Sequence, residues 1–111
     1  MPVKLGRISR QKDFDRIWRQ GKTWRNKFFV LRLLMNDLPH VRLAVVVSNK
    51  ISRKAVVRNR LRRQTKEILR QALSDSAKGC DLVFIGQPSL VGGDFLEIKE
   101  AVVDLLKKSN V

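Results

Sequence analysis

Apolar residues recur along this chain at two spacings, and the switches between them mark its elements. In residues 9–20, Phe14, Ile17 and Trp18 share one face at helical spacing, which predicts a short helix. Ser9 can cap it, Asp13 falls in its first turn, and Gly21 ends it. Residues 27–36 are rich in Phe, Val and Leu and read as a strand. Asn36-Asp37-Leu38-Pro39 is turn chemistry, and residues 40–48 form a second strand, so the two are expected to pair as a hairpin. The run Leu43-Ala44-Val45-Val46-Val47 lacks alternation, which predicts a central strand covered on both faces. A long helix runs from Lys54 to about Ser74, and residues 81–86 form a buried strand closed by Gln87-Pro88. A last helix begins at Gly93 or Asp94 and ends at Lys108. Its Phe95, Ile98, Val102, Val103, Leu105 and Leu106 face a core, and Lys107-Lys108 sit favourably at its C-terminal end.

The resulting order is α-β-β-α-β-α, with room for one more short strand near residues 23–25. Few strands with interspersed helices predict an α+β fold, a two-layer α/β sandwich of one sheet with helices packed on it. At 111 residues the whole chain, 1–111, is expected to be a single domain. With 43% apolar residues and only three prolines it is a folded globule, not a disordered basic tail.

Charge changes the picture. The formal net charge is +14, and it is unevenly placed. Residues 1–70 carry 20 Lys or Arg against 4 Asp or Glu, whereas residues 71–111 carry 4 against 6. The binding surface is therefore expected in the first two-thirds of the chain, with the last third as scaffold. Nine of the 21 residues from Lys50 to Arg70 are basic, and Glu67 alone is acidic.

On a helical projection with Arg58 at zero, Val57, Leu61, Thr65, Ile68 and Ala72 fall between roughly 260° and 340°. Arg58, Asn59, Arg62, Arg63, Lys66 and Arg70 fall between about 0° and 140°, with Arg60 apart near 200°. A solvated charged helix alternates signs to gain i,i+4 pairs. Here positions 58, 62, 66 and 70 are all cationic, a repulsive series that phosphates would relieve with release of counterions. Guanidinium groups donate in a fork to phosphate and stack on bases. Asn59 adds an amide suited to a phosphate, a 2′-hydroxyl or a base edge. Nucleic acid is the expected partner.

Protein-borne catalysis is not expected. A two-metal phosphodiesterase needs several converging carboxylates, and the basic region offers Asp13, Asp15, Asp37 and Glu67 only. Asp13 and Asp15 bracket Phe14 in a first helical turn, where acids are favoured anyway. His40, the one histidine, sits beside a turn and is expected at the solvent or strand edge. No zinc spacing or Gly-rich phosphate loop is present, so no metal ligands are assigned. The single Cys80 excludes an intramolecular disulfide and reads as a small buried hydrophobe in a reducing compartment. The apolar stretches near residues 28–35 and 43–47 are far short of the roughly 20 residues of a membrane span. With no apolar signal region at the N-terminus either, a cytoplasmic protein is expected.

The stretch from Arg42 to Arg63, RLAVVVSNKISRKAVVRNRLRR, resembles the signature of the protein component of bacterial ribonuclease P. In that family a strand ending in Ser-x-Lys runs through a short loop into Ala-Val-x-Arg-Asn-Arg-x-x-Arg on a helix. Phe14-Asp15-Arg16-Ile17-Trp18-Arg19-Gln20-Gly21 also resembles the family's first helix and its closing glycine. The sequence departs from the family at Asn49, where a second Lys is frequent, at Ser52, often Gly, and at Trp18, often Phe.

The resemblance implies an RNA catalyst and a protein that binds it, contacts the 5′ leader of precursor tRNA and assists metal-dependent cleavage. The implied metal is Mg2+, held mainly by RNA. Carried over, Arg53, Lys54, Arg58, Asn59, Arg60, Arg62, Arg63 and Lys66 would lie against the catalytic RNA. Phe14, Trp18, Phe28, Ser48 and Lys50 would meet the leader in a cleft between the first helix and the sheet. Aromatic side chains there could stack unpaired bases without choosing among them. The resemblance also implies a left-handed β-α-β crossover, and we expect the protein alone to be monomeric, with no membrane partner. The alternatives are a basic ribosomal-type RNA-binding protein, a DNA-binding helix and a membrane-surface protein. The second lacks a helix-turn-helix arrangement, and the third lacks a Trp or Phe anchor on the apolar face of the basic helix.

Overall fold

Side-chain alternation along the strands decides which faces of the sheet are covered. In the computed structural model, which describes residues 5–73 and 79–111, the chain forms β1 (Leu5–Arg7), α1 (Gln11–Gln20), β2 (Lys22–Arg25), β3 (Phe29–Met35) and β4 (Val41–Val46). It continues through α2 (Ala55–Ala72), β5 (Cys80–Gly86), a 3-10 turn (Pro88–Gly92) and α3 (Phe95–Lys108). Phe29, Leu31 and Leu33 of β3 and Val41, Leu43 and Val45 of β4 are buried, while the residues between them are half-buried. On β5 every residue but Ile85 is buried.

The five strands form one sheet in the order β1-β4-β5-β3-β2. The strand covered on both faces is thus β5, and β4 is covered fully on one face only. The expected hairpin is absent as well. β5 inserts between β3 and β4, antiparallel to β3 from Phe29↔Gly86 to Met35↔Cys80 and parallel to β4 from Arg42↔Asp81 to Val46↔Ile85. The turn chemistry at residues 36–39 is real, since Asn36 Oδ1 accepts from the Leu38 N–H at 2.9 Å. The turn wraps across the end of β5 instead of closing a hairpin. It lies so close to Gly79 that a Cβ there would sit 1.8 Å from the Leu38 carbonyl oxygen. The parallel β4–β5 pair needs a crossover, and α2 supplies it.

One face of the sheet carries the main core. Leu61, Thr65, Ile68 and Leu69 of α2 and Ile98, Val102, Leu105 and Leu106 of α3 are buried there. They meet Leu31, Leu33, Leu43, Val45, Leu82 and Phe84, with Phe29 edge-on to Phe84 at 5.7 Å. The Thr65 hydroxyl donates to the Leu61 carbonyl, so its burial leaves no unpaired donor. Asp94 and Glu97 form a capping box that starts α3, which leaves Phe95 at the first helical position and half exposed, outside the core. Val57 and Val103 are half-buried and Ala72 is exposed, so the apolar arcs are narrower than expected. The expected end of α2 at Ser74 lies outside the described residues.

The opposite face carries α1, where Ile17 packs with Ile8 and Val83 and with half-buried Phe14, Leu34, Ala44, Val46 and Ile85. α1 begins two residues later than the pattern predicts. The Ile8 N–H still bonds the Leu43 carbonyl at 3.2 Å, so the chain remains extended past β1 and Ser9 is no cap. β1 itself, three residues with a central glycine paired parallel to β4, carries no signal that periodicity could detect. The short strand near residues 23–25 is present as β2, paired to β3. Among the described residues no helix is long and apolar enough to cross a membrane.

Cys80 is 2% exposed, and burial pushes its thiol from an ordinary 9.0 up to about 11. It should therefore alkylate slowly at pH 8 in the native protein and rapidly once urea opens the sheet. Because the folded thiol holds its proton more tightly, its contribution to stability is full below pH 9 and falls as pH rises towards 11. Comparison with Cys80→Ala over that range isolates the effect; identical pH profiles would refute it.

Candidate nucleic-acid interface

The basic residues of α2 divide by what holds them. Arg58 is half-buried and turns back from the helix, its Nη1 donating to the carbonyls of Ser52 at 3.0 Å and Arg53 at 2.9 Å. It thereby fixes the loop between β4 and α2, which is also turned by the Ile51 N–H to the Ser48 carbonyl and by Lys54 N–H to Ser52 Oγ. Asn49, Lys50, Ile51, Ser52, Arg53 and Arg58 line an open concavity of about 780 Å³. Lys50, assigned by resemblance to the leader, shares this hollow with Arg53 and Arg58 of the other set. Lys54 is the N-cap of α2 without a capping side-chain bond, and no acid occupies the first turn. The helix dipole and these cations therefore add at one place, favouring an anion.

Further along, Arg62 and Lys66 line a groove with Arg7, Ser9, Phe14 and residues 43–46 of β4. β1 partners β4 only as far as Leu43, so the groove lies where that sheet edge opens. Arg62 donates to Asn59 Oδ1, while Asn59, Arg60, Arg63 and Lys66 are exposed. Arg70 pairs with Glu67 at 2.8 Å, which offsets its charge and ends the ladder at Lys66.

A second surface lies beside α1. Trp18 is 41% exposed, and the Arg32 guanidinium lies over one face of its ring at 5.1 Å. The same guanidinium caps α1, donating to the carbonyls of Ile17 at 3.1 Å, Trp18 at 2.6 Å and Gly21 at 3.4 Å, and to Thr23 Oγ1 at 2.9 Å. Gly21 is required at this end, because a Cβ would stand 2.5 Å from the Ile17 carbonyl oxygen. Phe14 is half-buried beside Ala44 and Val46. Sequence reasoning missed Arg32; the available signal was a cation inside the alternating apolar pattern of β3.

Phe28 does not join this surface. It is 4% exposed in the main core, where its ring meets Gly93, and it cannot stack on a base without opening that core. Ser48 is exposed at the end of β4.

Of the acids of α1 only Asp13 is buried, and it joins a network centred on β5. Asp81 on β5 is 0% exposed and takes Arg42 in a fork, Nε at 2.8 Å and Nη2 at 2.6 Å, together with Asn36 Nδ2 at 2.7 Å. Arg42 Nη1 reaches Asp13 Oδ2 at 3.3 Å, and Arg16 stands 3.7 Å from Asp13 and 3.8 Å from Asp81. Hydrogen bonding to Asp81 is the main reason the Arg42 guanidinium is raised above its ordinary value. Asp15 is exposed and bonds Gln11. Both buried carboxylates thus face arginines, and among the described residues no group of three or more His, Cys, Asp or Glu could hold a metal ion. His40 is half-buried against Gly6 of β1.

Comparison with known proteins bears on what the two surfaces meet. The chain matches the family model described as Ribonuclease P over residues 3–110. It is similar to the ribonuclease P protein component of Clostridium botulinum (strain Langeland), 38% identical over 110 residues and 98% of each chain. Among solved structures, that of the Staphylococcus aureus RNase P protein matches with a TM-score of 0.88 at 29% identity, covering 97% of this chain and 98% of that one. The RNase P protein from Thermotoga maritima matches with a TM-score of 0.81 at 33% identity, covering 92% and 96%.

Proposed function

The chain belongs to the ribonuclease P protein family, and from that premise we propose that it binds the catalytic RNA through α2 and its preceding loop and the 5′ leader of precursor tRNA beside α1. The observation that carries this reading is the arrangement of two surfaces. A cationic helix face continues through the Arg62–Lys66 groove to Phe14, at the margin of the half-covered sheet face. Cations there would neutralise phosphates of a folded RNA, and an exposed ring with one face held by Arg32 offers its other face to an unpaired base. In this reading the chain's own residues bind and orient; none is a catalytic residue. Mg2+, held mainly by RNA, would supply the hydrolytic chemistry, and the buried acids Asp13 and Asp81 are committed to arginines. We propose further that the free protein is a monomer and that it acts in the cytoplasm, where tRNA precursors are made.

The test adds the protein to a bacterial ribonuclease P RNA at low magnesium and times cleavage of precursor tRNA. Cleavage only when both are present supports the reading. Binding without rescued cleavage would favour a ribosomal-type RNA-binding protein instead. Trp18→Ala should weaken binding of precursor tRNA by roughly 1–3 kcal/mol, one lost stack, and leave mature tRNA unaffected. Equal weakening of both would remove Trp18 from the leader surface.

A further inference from the structure

α1 is anchored to the sheet differently from the other helices. It has ten residues, fewer than the roughly 12–15 at which an isolated helix becomes even marginal in water. It buries one apolar side chain completely, Ile17, with Phe14 half-buried. The rest of its attachment is polar and comes from two arginines of the sheet. Arg32 holds the carbonyls at its C-terminal end. Arg42 takes Asp13 in its first turn. Because Asp81 grips Arg42 with two bonds from beneath, the guanidinium that Asp13 meets is a fixed part of the sheet. Asp13 is 8% exposed, so it is no surface acid tolerated by accident.

Resting on the leader-binding reading above, we propose that Asp13 is a positioning residue for the leader surface. By latching α1 to Arg42 it sets where Phe14 stands beside Ala44, Val46 and Ile85 and where Trp18 stands against Arg32, and it touches no RNA itself. The latch is separable from the fold. Removing the Asp13 carboxylate leaves Arg42 paired in its fork with Asp81, and the core formed by α2 and α3 lies on the other face of the sheet. The consequence of losing it therefore falls on α1.

The experiment uses the full chain as wild type, Asp13→Asn and Asp13→Glu. It measures affinity for the catalytic RNA, the preference of the assembled complex for precursor over mature tRNA, and amide hydrogen exchange by segment. Asp13→Asn is expected to speed exchange in α1 by about tenfold, as loss of one charged hydrogen bond implies, with β5 and α3 unchanged. Its affinity for the catalytic RNA should stay within about twofold, while the precursor preference falls by about three- to tenfold as the stacking platform loosens. Asp13→Glu, which returns a carboxylate to Arg42, should recover most of that preference. Exchange that quickens equally in β5 and α3, or a precursor preference that survives in Asp13→Asn, overturns the proposal. A wild-type complex with no precursor preference at all would instead overturn the leader-binding reading on which it rests, a result distinguishable by the control alone.

Discussion

Asp81→Asn is expected to destabilise the folded chain by about 3–5 kcal/mol, the loss that follows when one partner of a buried charge pair is removed. Typical domains have only about 5–15 kcal/mol to lose, so the variant should approach unfolding at moderate temperature. The reason is local. Asp81 is fully buried and accepts three hydrogen bonds, two from Arg42 and one from Asn36. An amide in its place turns a donor towards a donor and leaves the Arg42 charge with Asp13 alone. It also loosens the 36–39 turn, which Asn36 holds to β5. Urea unfolding of the two proteins gives the difference directly. A loss below about 1 kcal/mol would mean that water or rearranged side chains replace the pair, and the network would then be incidental to stability.

The second large effect concerns RNA. Replacing Arg62, Arg63 and Lys66 singly by Ala is expected to weaken binding to the catalytic RNA by about 1–3 kcal/mol each, and to flatten the salt dependence by roughly one unit per cation. Arg63 and Lys66 are exposed and carry no core contact, so the melting temperature should hold. Arg58→Ala should behave differently. Its guanidinium holds the loop carbonyls of Ser52 and Arg53, so affinity and stability should fall together. If Arg62, Arg63 and Lys66 variants melt early in proportion to their lost affinity, these side chains do not face RNA.

The two predictions differ in how far they were visible in the primary structure. The cationic ladder of α2 was legible, because a helix places residues at fixed angles and nine basic residues in 21 leave few other arrangements. By helical spacing Arg58 is one more member of that ladder. Its bonds to the loop depend on how residues 48–54 fold back, which no periodicity records. In the sequence Asp81 is only the start of a buried strand, and Asp13 an ordinary first-turn acid. Their common partner, Arg42, lies 29 residues from one and 39 from the other. The resemblance alone puts Phe28 in the leader set. Its burial depends on Gly93, in the connection leading to α3.

Legible in the chain alone was the local and the compositional: most of the apolar faces of α2 and α3, the buried character of β5, the start of α3 near Asp94 and the concentration of positive charge in residues 1–70. Each of these follows from neighbours within a turn or a strand's length, or from charge, which needs no contacts to be counted. Pairing at a distance had to wait for the folded chain. β5 enters between β3 and β4 because a parallel partner and an antiparallel partner together cover both its edges, whereas a hairpin would have left one open. That insertion brings Asp81 beside Arg42, Arg42 beneath Asp13, and so α1 onto the open face of the sheet. Its position there is the sum of contacts between segments that meet only once the chain has folded.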